Sequence, residues 1–272
     1  MPDVADASLP IGLFDSGVGG LSVARRLAEL APSESTLYFG DSARCPYGPR
    51  PLPQVRRFGL EIIDILATQG VKLVVVACNT STAAGVVEAA ADYPFPVLGI
   101  IEPGARLAAR TSRNGRVGVL ATAGTVASGA YQRALRAINP GLEVAAEPCP
   151  PLVPLVEAGQ VDGPEAEYAV AGCLRSVLAA GIDTLVLGCT HYPVLAPVIR
   201  RLAGPGVQLV DPAKQVAREA LAWLHQNGLR QAGPTPGSRR FLTSGDPKQF
   251  LAASLALWPG GVSEAEQVPV LA

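Results

Sequence analysis

Short apolar runs recur along the chain. Each is followed by a turn and then by a stretch in which apolar residues return every three or four positions. The runs are continuous rather than alternating, the pattern of strands covered on both faces. Strands are read at 11–14, 36–39, 73–77 and 97–100, and again at 116–120, 142–145, 184–187, 207–210 and 240–243. Helical spacing covers 21–30, 52–69, 81–91, 126–138, 164–180, 194–202, 214–226 and 247–257, with a short helix ending at Glu157. Pro53 suits the first turn of its helix, where its missing N–H costs nothing. Pro- and Gly-rich loops fall at 45–49 and 148–151, and a flexible loop at 228–238. Strands alternating with helices predict an α/β fold with mainly parallel sheets.

The alternation restarts near residue 116, and the two halves carry matching punctuation. Ile11-Gly12-Leu13-Phe14-Asp15-Ser16 is answered by Val117-Gly118-Val119-Leu120-Ala121-Thr122. Ala77-Cys78-Asn79-Thr80 is answered by Gly188-Cys189-Thr190-His191. Each cysteine ends a strand just before an expected helix start, the edge at which open α/β sheets bind ligands. The repeat therefore predicts two similar α/β domains with the site in the cleft between them and a thiol on either side. The expected boundaries are 1–98 plus 212–272 for a discontinuous first domain and 99–211 for the second.

Composition narrows the classes. The 272 residues carry 22 Lys+Arg against 23 Asp+Glu, a net charge of −1, which argues against nucleic-acid binding through a broad basic face. At 49% hydrophobic the chain buries a full core and is not disordered. Five scattered cysteines with no C-x-x-C pair give neither a disulfide framework nor a zinc ribbon. The two histidines, His191 and His225, show no metal-ligand spacing. Only three lysines exist, none at an evident Schiff-base position, which disfavours pyridoxal phosphate. Gly17–Gly20 lacks both the Walker lysine and the dinucleotide glycine spacing. Mean hydropathy is +0.28, yet Gly, Pro, His and Thr interrupt every long apolar stretch, so no membrane span is expected. Residues 1–10 lack the basic region of a secretory signal, and the expected setting is a reducing cytoplasm with free thiols and no cofactor.

A thiol titrates near ~8.5, and lower at a helix N-terminus or beside a cation. Both Cys78 and Cys189 are expected at helix starts, where the dipole favours an anion. One thiolate can take a proton from carbon while the opposing thiol delivers one to the other face. That inverts a stereocentre without a cofactor. Either cysteine alone reads as an ordinary buried thiol; the matched pair in matched contexts favours chemistry. A binding protein that merely holds a dicarboxylate, and a thiol redox protein, are the rivals from other classes.

Asp15-Ser16-Gly17-Val18-Gly19-Gly20, Gly40-Asp41-Ser42-Ala43-Arg44-Cys45-Pro46-Tyr47-Gly48, the two cysteine motifs with Tyr192-Pro193, and Thr243-Ser244-Gly245-Asp246-Pro247 together resemble the bacterial glutamate racemases of the aspartate/glutamate racemase superfamily. The resemblance runs from residue 11 to about 257. It implies interconversion of L- and D-glutamate without a cofactor, supplying D-glutamate for peptidoglycan and so for cell-wall biogenesis and cell shape. It implies a cytoplasmic homodimer with no membrane or nucleic-acid partner. By this resemblance Cys78 takes the α-proton from D-glutamate and Cys189 takes it from L-glutamate. Substrate contacts carry over to Asp15, Ser16, Tyr47, Gly48, Asn79, Thr80, Thr190 and His191, with Pro46, Thr122 and Thr125 at the pocket edge. The chain begins close to its first strand, without the long extension of members activated by a cell-wall precursor, so that control is not expected.

Individual roles retain alternatives. Asp15 either tunes Cys78 or contacts the substrate ammonium, or it simply forms the turn before Gly17. His191 either assists Cys189 as an acid or cation, or satisfies a helix start. Glu157 resembles a family acidic residue near the second cysteine, or is an exposed helix end. Ser16, Asn79, Thr80 and Thr190 offer hydroxyl, amide and backbone donors to carboxylates. With no net positive field, binding of a dianion has to be local. Cys45, Cys149 and Cys173 read as bystanders, and His225 as a charge near a helix C-terminus.

Overall fold

The structure is a computed structural model that describes residues 6–270. The outermost residues of the expected domain ranges, 1–5 and 271–272, lie outside the described residues. Strands β1 (Ile11–Asp15), β2 (Thr36–Gly40), β3 (Leu73–Val76) and β4 (Val97–Gly99) run parallel in the order β2-β1-β3-β4. Strands β5 (Arg116–Ala121), β6 (Glu143–Pro148), β7 (Thr184–Gly188) and β8 (Gln208–Val210) form a second parallel sheet in the order β6-β5-β7-β8. The sequence repeat is thus a repeat of topology, with β1 equivalent to β5 and β3 to β7. Strands β9 (Arg239–Thr243) and β10 (Glu266–Gln267) then extend the β2 edge of the first sheet, so the chain returns to where it began.

Every residue of β1, β2, β3 and β7 is buried, which explains their uninterrupted apolar sequences. Burying a Leu, Val or Ile side chain contributes about 1.5–3 kcal/mol, so these central strands anchor both sheets. Leu13 and Val75 of the first sheet share an apolar cluster with Val119 and Val186 of the second. Helices Ile101–Thr111 and Pro212–Gln226 pack together and add Ala105, Ala108, Val216 and Ala220 to that cluster. The two sheets are therefore joined by a common core on one side and open into a cleft on the other.

Several boundaries differ from the periodicity. The helix expected over 81–91 is two short helices, Asn79–Ala83 and Val86–Ala89, because Gly85 turns left-handed at φ +79°. Gly129, at φ +68°, divides the helix expected over 126–138 into Ala123–Ser128 and Ala130–Ile138 in the same way. Helix Ile101–Thr111 was masked in the sequence by Pro103 and Gly104, yet both sit in its first turn, where proline is tolerated. Residues Tyr192–Leu195 form a 3-10 turn before helix Ala196–Ala203. Cys189 consequently lies in a turn, its carbonyl accepting from the Tyr192 N–H at 3.1 Å, and not at an α-helix start. Among the described residues no helix is long and apolar enough to cross a membrane.

Candidate active site

In each sheet the strand order reverses direction between the first and third strands, and a crevice opens there at the C-terminal edge. In the first sheet Asp15 ends β1, and Cys78 lies two residues beyond β3. In the second sheet Thr122 follows β5 and Cys189 follows β7. Both edges face one cavity of about 270 Å³. Cys78, Cys189, Asn79, Thr80, Thr190 and His191 line it. So do Ser16, the loop residues Pro46, Tyr47 and Gly48, and Thr122 from the opposite edge. Asp15, Glu157 and Thr125 are not on that wall but contact its residues Thr190, His191 and Thr122. A larger groove of about 570 Å³ runs beside Glu102, Arg106 and Trp223, but no cysteine or histidine lines it.

Cys78 caps helix Asn79–Ala83 with its own sulfur, which accepts from the Ser81 N–H at 3.4 Å. The cap works for the thiolate. Burial and the nearby Asp15 carboxylate work against it and push the thiol up to about 12. The helix start does not lower this thiol on balance. Asp15 itself is fully buried, and burial raises its carboxyl above the ordinary value. It accepts from the Gly17 N–H and from the Thr190 hydroxyl, each at 3.1 Å.

Cys189 is partnered by His191, with Nδ1 3.8 Å from the sulfur. The other ring nitrogen, Nε2, lies 3.3 Å from Glu157 Oε1, within ion-pair distance but without hydrogen-bond geometry. Burial works against the imidazolium, but Cys189, Glu157 and Asp15 outweigh it and bring His191 to about 10. Contact with His191 in turn holds the Glu157 carboxyl below its ordinary value.

Polar side chains complete the wall. The Tyr131 hydroxyl donates to Asn79 Oδ1 at 2.8 Å and so fixes the amide. Among the described residues no acceptor meets the buried Asn79 Nδ2, a donor available to a carboxylate. The Thr80 and Thr122 hydroxyls meet across the cleft at 2.9 Å, and Thr125 joins Thr122 at 2.9 Å. The Tyr47 ring is buried against Phe58 and its hydroxyl bonds Asp41, so the tyrosine anchors the loop rather than offering its hydroxyl.

That anchoring explains the late Thr243–Ser244 motif. The Ser244 hydroxyl donates to Asp41 Oδ1 at 2.6 Å and accepts from the Ala43 N–H at 3.0 Å. Asp41 Oδ2 also accepts from Arg44 Nε at 2.7 Å. The braced loop then presents the Gly48 carbonyl to the Gly124 N–H of the other half at 3.0 Å.

Two cysteines expected to be bystanders lie on the wall. Cys45 and Cys149 both line the cavity, while Cys173 does not. Cys149 follows β6, so the strand-edge rule that found Cys78 and Cys189 also covers it. Cys45 lies in the loop after β2, next to the expected pocket residues Pro46, Tyr47 and Gly48 but without the strand-to-helix placement of Cys78. His225 falls in the last turn of its helix as expected.

The profile of the Asp/Glu/hydantoin racemases matches residues 11–220. The chain belongs to the Asp/Glu/hydantoin racemase family. Within that family it is 48% identical over 266 residues to the glutamate racemase of Symbiobacterium thermophilum, covering 97% of this chain and 96% of that protein. The crystal structure of a glutamate racemase from Bacillus anthracis superposes with a TM-score of 0.92 at 36% identity, covering 96% of this chain and 98% of that one. The glutamate racemase of Francisella tularensis in complex with D-glutamate superposes with a TM-score of 0.89 at 32% identity, covering 96% and 98%. The two-sheet α/β architecture read from the repeat is thus the architecture of this racemase family.

Proposed function

We propose that this enzyme is a glutamate racemase that inverts the α-carbon with two thiols. The observation that carries the reading is the pair Cys78 and Cys189, at equivalent strand ends of two equivalent sheets and on the wall of one cavity. Structures related to this chain include one described as holding D-glutamate. From D-glutamate, the Cys78 thiolate takes the α-proton: the Cα–H bond breaks and an S–H bond forms. The electron pair remains on carbon next to the carboxylate. The Cys189 thiol then gives its proton to the opposite face and becomes the thiolate. From L-glutamate the roles reverse. General acid–base work of this kind contributes typically ~10²–10⁴-fold per group.

The supporting roles follow from the contacts. His191 sits within proton-transfer reach of Cys189 and carries positive charge where the sulfur becomes negative. Glu157 holds His191 in that state. Asp15 acts electrostatically on Cys78 and accepts from Thr190, which places a negative charge behind the wall to attract the substrate ammonium. Ser16, Asn79, Thr80 and Thr190 bind the two carboxylates, and Tyr47 and Gly48 form the loop wall. Donors aimed at the α-carboxylate stabilise charge as it develops on the carbanion side.

The reading carries the rest of the family's biology: no cofactor, a cytoplasmic homodimer, and D-glutamate supplied to peptidoglycan. Its domains are 1–98 plus 212–272 and 99–211, the division the two sheets support. The test follows α-proton exchange with deuterated solvent by NMR, without added pyridoxal phosphate, on both enantiomers of glutamate and aspartate. Exchange and inversion of glutamate support the reading. Binding without exchange overturns catalysis, and turnover of aspartate alone overturns the substrate.

A further inference from the structure

The two-thiol reaction leaves the Cys45 thiol on the cavity wall without a task. We infer that Cys45 is a positioning residue: its thiol donates to Glu157 across the cleft and holds that carboxylate against His191, the partner of Cys189. The inference rests on the proposed role of His191 and deepens it.

The geometry is a chain of four side chains. Cys45 Sγ lies 3.5 Å from Glu157 Oε1. The same oxygen lies 3.3 Å from His191 Nε2, and His191 Nδ1 lies 3.8 Å from Cys189 Sγ. Cys45 comes from the braced loop of the first half, and the other three from the second. Glu157 needs such a holder. Its side chain is 38% exposed and ends a helix of six residues, so water competes for the carboxylate. A hydrogen bond from the thiol to the oxygen that faces His191 holds the rotamer of Glu157.

A thiol suits the task better than a cation. Lys or Arg at this position would neutralise Glu157 and weaken its hold on the imidazolium, whereas a neutral S–H donor leaves the negative charge in place. Burial and the Glu157 carboxylate push the Cys45 thiol up, so it keeps the proton it donates. The sulfur is also confined, since a Cβ on Gly17 would stand only 3.3 Å from it. The titratable groups that act on His191 are Cys189, Glu157 and Asp15, and those that act on Glu157 are His191 and Cys45. The contacts that link Cys45 to His191 run through Glu157.

NMR titration of the His191 imidazole tests this directly. The chain has two histidines, and His225→Gln assigns the second. In Cys45→Ala the His191 midpoint should fall by at least about one pH unit, a tenfold change in its proton equilibrium. Cys45→Ser should restore it, because a hydroxyl also donates. Glu157→Gln should show the same fall, and adding Cys45→Ala to it should change nothing further. An unmoved midpoint in Cys45→Ala, or shifts that add in the double variant, overturns the inference. The readout does not depend on turnover. The expected titration in a protein that fails to racemise glutamate would count against the proposed function alone. Normal racemisation with an unmoved His191 would count against the role of Cys45 alone.

Discussion

The Thr190 hydroxyl donates to the Asp15 carboxylate at 3.1 Å and so ties the end of β1 in one sheet to the turn after β7 in the other. Gly19 lets the two halves come this close. A Cβ there would stand 2.2 Å from the Thr190 hydroxyl and 2.9 Å from the His191 ring. Gly19→Ala is therefore expected to wedge the cleft and move both thiols out of register. A misplacement of about 1 Å can cost on the order of 10²-fold in rate. Steady-state kinetics with circular dichroism to confirm folding checks this, and a folded variant at full rate would refute the close-approach argument.

Cys78→Ala and Cys189→Ala should each remove racemisation, with losses of at least ~10²–10⁴-fold for a single acid–base group. Each variant should still fold, because loss of a wall thiol removes little packing and Cys78→Ala costs one sulfur cap to the Ser81 N–H of a short helix. Cys173→Ala is the matched control: it lies off the cavity and should retain turnover. Polarimetry of all three separates chemistry from packing. Equal retention in all three variants would exclude the two-thiol mechanism.

Stability should depend on pH through His191. Its folded value of about 10 stands above the ordinary 6.5, so the native state binds a proton more tightly than the unfolded chain. The stabilisation is therefore complete below about 6.5 and is lost as pH rises through about 10. Thermal midpoints should decline across that window, and His191→Gln should flatten the decline. The same slope in the variant would show that another group causes it.

The central strands, the repeat and both cleft cysteines were readable because buried parallel strands leave an unmistakable apolar pattern, and because the small polar motifs sit at the edge where such sheets bind ligands. What the sequence hid depends on three-dimensional approach. Cys45 reaches Glu157 only through the path of a loop, and no spacing encodes that path. Helix Ile101–Thr111 was hidden because Pro103 and Gly104 read as breakers unless their place in the first turn is known. The upward push on the Cys78 thiol is hidden for another reason. The helix-start argument counts one N–H, whereas burial and Asp15 act on the same sulfur with larger effect.

The brace beneath the substrate loop gives the last prediction. Asp41 is fully buried, and Ser244, Arg44 and Tyr47 donate to it. Ser244→Ala removes one donor and leaves part of a buried carboxylate unsatisfied, a cost of about 1–3 kcal/mol. The variant also frees the Ala43 N–H, which lies in the same loop. The thermal midpoint should fall, and KM for glutamate should rise by a larger factor than kcat falls, because the loop shapes the wall while neither thiol is touched. Ser244→Thr keeps the hydroxyl and should restore KM. If kcat collapses in Ser244→Ala while KM holds, the loop acts on the thiols themselves and the brace is part of the chemistry rather than of binding.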